Sequence, residues 1–269
     1  MNQVTPSLWH AALGVVRYEL SRTLTPVRAV LWLGLMLFPV MLIGATAYLI
    51  DERDAEKDYL FLAGLQYVLL PEVVTVLSMI LWVAPIVNEE LESQSWVYAV
   101  VRPNGRQAML LGKYAVAVLW TGSCTTSAAV FSSAVAWQLG IQQAAAAGVA
   151  VLALCWISAI VHGALFLLIG TLFQRRAMVY ALIYAVLVEA ILGWLPAVIN
   201  RFTFSFRLRS ILLDWLNVDL GELINEDVPF LWEAATTKHL LVLFSVATAM
   251  LLLALSQIQR SRYRWQTEV

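Results

Sequence analysis

The sequence predicts an all-α integral membrane protein. Six transmembrane helices are expected, with an amphipathic interfacial helix before them and a cytoplasmic helix between spans two and three. Three observations lead there. Of 269 residues, 61% are hydrophobic and 13% charged, whereas a soluble domain carries about 25% charged residues. The mean hydropathy is +0.77. The apolar residues also lie in blocks longer than the ~18 residues that a helix needs to cross a bilayer.

The first element is a one-sided helix over residues 6–24. Trp9, Leu13, Val16, Leu20 and Leu24 share a face, while His10, Arg17 and Ser21 lie off it. Thr5-Pro6 supplies an N-cap and a first helical residue. Such a helix lies in the membrane interface. Thr25-Pro26 restarts the chain as span one, about 27–50. This block is too long for a signal h-region and lacks a small-residue cleavage site, so no cleavable signal peptide is expected. Residues 51–58 hold five acids and two bases and form a solvated turn.

Span two has two readings, because Leu70-Pro71-Glu72 interrupts a long apolar run. One is a single tilted, Pro-kinked helix. The other, adopted here, places 60–70 at the outer surface and begins the span at Pro71, so that it covers 71–88. Proline suits a first helical turn, and Glu72 then sits at a helix N-terminus near water. Spans three to five are expected over 109–139, 144–173 and 177–199, joined by Gly140-Ile141-Gln142-Gln143 and Gln174-Arg175-Arg176. The segment 200–238 carries six acids and four bases. Within it, Leu208, Ile211, Leu212, Trp215 and Leu216 predict a helix lying on the membrane. Span six covers 239–258. With no repeat or low-complexity linker, 1–269 reads as a single transmembrane domain.

Lys and Arg set the orientation. With the N-terminus inside, eleven basic residues fall in inner segments: Arg17, Arg22, Arg28, Arg102, Arg106, Lys113, Arg175, Arg176, Arg260, Arg262 and Arg264. Only six fall outside: Arg53, Lys57, Arg201, Arg207, Arg209 and Lys238. Both termini are therefore expected in the cytoplasm and the chain in the cell membrane. The net charge of −1 gives no reason to expect a nucleic-acid partner. Cys124 and Cys155 sit in apolar blocks as packing residues, and no metal spacing occurs.

The inner segment from Asn88 to Lys113 is the most informative stretch. Glu89, Glu90 and Glu92 prolong span two into water. A short helix follows, with Leu91, Tyr98 and Val101 available for packing. Pro103-Asn104-Gly105 forces a turn. Arg106 and Lys113 open the next helix, where Lys113 can snorkel to the headgroups. By its residues alone this is either a rigid docking elbow or an ordinary loop with a topology anchor.

The order Glu-Glu-x-Glu, Ser, Tyr, Arg-Pro-x-x-Arg, Gly-Lys resembles the permease subunits of ABC type-2 exporters, and the layout of spans resembles them over nearly the whole chain. That resemblance implies a cytoplasmic coupling helix that docks on an ATP-binding subunit, with Glu89, Glu90, Glu92, Arg102, Pro103, Arg106 and Lys113 as the coupling region. It also implies a dimer, since six spans make half a pore. No phosphate loop occurs here, and Tyr114 follows Lys113 where such a loop needs a hydroxyl residue. ATP and Mg²⁺ are thus expected on a separate ATPase chain, with no cofactor or catalytic site on this one. The alternatives are a membrane scaffold or assembly factor, and an intramembrane hydrolase using Ser123 and His162. The hydrolase reading lacks a strained nucleophile elbow and any identifiable oxyanion donor.

Glu189 and His162 are ionisable residues placed deep within spans. Glu189 is placed near the centre of span five, as a polar point on a substrate path or dimer interface, or as a glutamate that joins two helices internally. The internal role is the plainer one, and Glu189→Gln is expected to be tolerated for folding. His162 in span four reads as a hydrogen-bonded packing histidine. The small residues Gly122, Ser123, Thr126, Ser127, Ser132 and Ser133, with Ala159 and Gly163, predict close packing of spans three and four.

Overall fold

The longest helices come from the longest apolar runs, and they form a bundle around one central helix. The computed structural model of the chain describes residues 7–23, 25–49, 55–93, 96–102, 104–141, 144–195, 198–217 and 235–260. Among these, every regular element is helical and there is no strand. Helix α1 is Leu8–Thr23 and α2 is Pro26–Leu49. Helix α3, Ala55–Tyr67, runs through a π-helical segment, Val68–Val74, into α4, Thr75–Trp82. Two short helices follow, α5 (Ile86–Glu92) and α6 (Trp96–Val101). Then come the long α7 (Gly105–Gln138) and α8 (Ala144–Leu172). Helix α9, Ala177–Tyr184, passes through a second π segment, Ala185–Ile191, into a 3₁₀ turn, Leu192–Trp194. Helices α10 (Phe204–Trp215) and α11 (Thr236–Arg260) complete the bundle.

Among the described residues, six helical stretches are long and apolar enough to cross a membrane: Pro26–Leu49, Tyr59–Glu92, Gly105–Gln138, Ala146–Leu172, Gln174–Trp194 and Thr236–Arg260. Helix α8 is apolar on all sides, as a central helix must be. Val151, Leu154, Cys155, Ala159, Val161, Phe166 and Leu167 are all fully buried in it. It packs on α7, α11 and α4. The expected small-residue contacts are present. Gly122 lets Trp156 lie against α7, and the Trp156 indole N–H donates to Thr126 Oγ1 at 3.1 Å. Gly163 meets Tyr114 and Met79. Gln66 reaches across to Ser132 and Ser133 at 3.2 and 3.3 Å.

Span two departs from the expectation. The chain is helical from Ala55 to Trp82, so Pro71 lies inside a helix rather than opening one. Proline removes an N–H and crowds the preceding turn. The π segment absorbs that crowding, and its freed groups find partners. The Thr75 N–H and hydroxyl both reach the Leu70 carbonyl, and Ser158 on α8 donates to the Pro71 carbonyl at 2.7 Å. Such substitutes let proline persist in a membrane helix. The helical break falls instead at 83–85, beside Pro85.

Two further boundaries differ. Span five was expected to reach 199, but its helix ends at Trp194, so Glu189 lies near the end of the span rather than at its centre. Helix α10 does not lie on a surface by one face: Phe204, Phe206, Leu208, Ile211 and Leu212 are all buried, and it packs on α8 and α11. Asn217 closes it with a left-handed φ of 48°. The predicted turns at 51–54 and 142–143, the cap Thr5-Pro6, Leu24, the remainder of 218–234 and the tail from 261 lie outside the described residues.

Candidate functional site

The bundle carries polar side chains at two ends. At one end lie the start of α2, the elbow α5–α6, the start of α7, the Gln174–Arg176 turn and the end of α11. This is where the predicted inner basic residues gather. Arg28 stacks over Trp82 at 5.1 Å. Arg106 lies 5.6 Å over the Trp96 ring and donates to the Ile258 carbonyl near the end of α11 at 3.5 Å. Asn104 adopts a left-handed φ of 59° before Gly105, and a Cβ on Gly105 would run into the Ala99 carbonyl. The predicted turn is thus a close reversal that folds α6 back on α7.

The six described residues of the predicted coupling region do not share one exposed surface. Glu89, Glu92 and Arg102 are exposed. Glu92 accepts a bond from the Asn88 amide at 2.7 Å. Glu90 is buried and pairs with Lys113, which also lies 3.7 Å from Glu19 on α1. Lys113 therefore does not snorkel outward, and Glu90 does not extend into water. Both join α1, α5 and α7. Pro103 lies outside the described residues, as does the Tyr98 side chain. Trp96, not singled out in the sequence, is the buried anchor of α6. The outer surface of α6 instead exposes Val97, Val100 and Val101. The apolar stripe of α1 also faces away from the bundle: Trp9, Leu13 and Leu20 are exposed. Ala12 and Val15 meet Gly112 on α7.

At the other end, a buried polar layer joins spans two and five to α10. Glu189 is the hub. Its Oε1 accepts from the Tyr184 hydroxyl at 2.9 Å and the Phe204 N–H at 3.3 Å. Its Oε2 accepts from the Ser205 N–H at 2.9 Å and the Ser205 hydroxyl at 2.8 Å. The Phe206 N–H goes to Thr203 Oγ1 at 3.3 Å. The first three N–H groups of α10, orphaned by helix geometry, are thereby satisfied, and the carboxylate sits at the positive end of the helix. Tyr67 donates to the Ser205 carbonyl at 2.7 Å. Arg209 donates to the Gly193 carbonyl at 3.0 Å and stacks 4.8 Å from the Trp194 ring.

His162 is fully buried on α8. It bonds to Ser158 and meets Phe204 edge-on at 5.3 Å. The Ser158 hydroxyl hydrogen is committed to Pro71, so the ring hydrogen sits on Nδ1 and points to the Ser158 carbonyl. His162 and Ser123 are not brought together, for Ser123 accepts from the Trp32 indole and donates to the Trp120 carbonyl. No cluster of three potential metal ligands occurs among the described residues.

The fold places the chain in the class of multi-pass α-helical membrane proteins. No protein-family model and no curated protein matches the sequence.

Proposed function

We propose that the chain is the permease subunit of an ATP-driven ABC exporter of the type-2 class, working as a dimer in the cell membrane with ATP and Mg²⁺ on a separate ATPase subunit. The observation that carries this reading is the elbow. Helix α6 projects Val97, Val100 and Val101 between the exposed charges Glu92 and Arg102. Its opposite side is fixed by Trp96, Arg106 and the close turn at Gly105. An apolar ridge with a charged rim, mounted rigidly on the ends of two spans, suits docking of a moving partner. The Glu19–Lys113–Glu90 cluster would pass a push on the elbow to α1 and α7 together.

The test is affinity purification of the tagged chain from its own membranes. An ATP-binding subunit is expected to co-purify. The double change Val101→Asp with Arg102→Glu should reduce its recovery by about tenfold, the effect of ~1.4 kcal/mol, while insertion and melting stay as in the native chain. An unchanged recovery, or purification with no ATP-binding protein, would remove the docking role.

The proposed orientation makes a separate prediction. In a chain whose native cysteines are replaced, Asn104→Cys should resist impermeant thiol reagents on intact cells, and Lys238→Cys should react. The opposite pattern would invert the topology.

A further inference from the structure

We propose that α10 is a latch that holds the outer halves of spans two and five together, with Ser205 as the catch. One residue is gripped from two sides. Glu189 of span five takes the N–H and hydroxyl of Ser205, and Tyr67 of span two donates to the Ser205 carbonyl. All three side chains are buried, at 4, 2 and 2% exposure for Glu189, Tyr67 and Ser205, so water does not compete for these bonds. The span-five anchor lies within a π segment and the span-two anchor immediately precedes one. Segments of that kind are local distortions that cluster where helices do more than pack. Span five is otherwise loosely held: most of its residues from Ala177 to Leu187 face outward, with only Ala177, Ala181 and Ala185 buried. At this end it is tied to the bundle through α10 and through Trp194, whose side chain bonds to Glu72 of span two. Release of the catch would loosen the hold of span five on span two and let α10 lift from α8 and α11.

The geometry also reverses the expectation that Glu189→Gln is harmless. Each carboxylate oxygen receives a backbone N–H. Both must therefore be acceptors, whereas an amide offers one acceptor and turns an NH₂ group toward a second donor. Glutamine fits the space and breaks the catch. The latch uses residues of this chain alone and holds whether or not an ATPase docks at the opposite end.

The test uses the full chain in lipid nanodiscs, with Cys124 and Cys155 replaced by alanine. Leu208→Cys reports on α10, and Leu154→Cys in α8 reports on the bundle; both leucines are fully buried. Glu189→Gln should raise the maleimide labelling rate at 208 by about tenfold or more, as expected for loss of a charge-assisted bond that controls local opening. Position 154 should not change. Ser205→Ala and Tyr67→Phe, which remove one donor each without changing the packing shape, should give smaller rises at 208. Ser205→Ala added to Glu189→Gln should add little, because both act through one contact. No rise at 208 in any of the three variants would overturn the latch. Equal rises at 208 and 154 would overturn it too, by making these residues general supports of the bundle. If Glu189→Gln does not insert, Ser205→Ala and Tyr67→Phe decide the matter by the same two readings.

Discussion

Lys113→Glu is expected to destabilise the chain by about 3 kcal/mol, within the range for removing one partner of a buried ion pair. Lys113 sits between Glu90 and Glu19 with its side chain 15% exposed, and theirs are 11% and 19% exposed. Reversal would leave three carboxylates from α1, α5 and α7 facing one another with little water between them. Melting of the purified chain in detergent should fall by roughly 6–12 °C, and α1 should become protease-sensitive first. The charge swap, Lys113→Glu with Glu90→Lys, restores one pair and should recover much of the loss. Arg17→Glu, on the exposed side of α1, should stay within about 0.5 kcal/mol of the native chain. A Lys113→Glu chain that melts like the native one, or a swap that recovers nothing, would show that the cluster does not bind α1 to the elbow.

That cluster illustrates what the sequence could and could not say. The spans were legible because a long apolar run in lipid has few other solutions. The turn before α7 was legible because Asn104 and Gly105 are residues that accept its backbone. Glu90 and Lys113 look solvated in the sequence because charge letters default to water, and their mutual contact is made only by tertiary packing. Pro71 looks like a helix start for the same kind of reason. Its place inside a helix depends on the Ser158 hydroxyl in another span. Helix α10 lies in a charged segment, which made one apolar face look sufficient. Arg209 turns onto the Gly193 carbonyl and the Trp194 ring, and Phe204 and Phe206 are buried as well. The role of Glu189 was half legible. A carboxylate in a span announces that it needs partners, but backbone N–H groups of a later helix have no letter in the sequence. That is why the amide looked equivalent to the acid.

Gly170→Ala, a single methyl group, is expected to cost about 3 kcal/mol, the upper part of the range for overpacking. In an exposed helix the same change gains up to ~1 kcal/mol, because glycine is the poorer helix former. The sign reverses here because a Cβ at Gly170 would stand 2.6 Å from the Ala84 carbonyl oxygen and 3.4 Å from its carbon. The obstacle is backbone, so no rotamer change relieves it. Ala84 lies in the 83–85 break inside the Tyr59–Glu92 stretch, and it is fully buried beside Pro85. The turn can yield only by moving away from α8, and α5 begins directly after it. The substitution should therefore both lower the melting temperature and displace the elbow, weakening partner recovery in the same purification that tests Val101 and Arg102. Gly34→Ala, with nothing within 4 Å of its Cβ position, serves as the control and should be neutral or slightly stabilising. If Gly170→Ala melts at or above the native temperature, span four does not press on this turn. The rigid mounting on which a coupling elbow depends would then have lost its base.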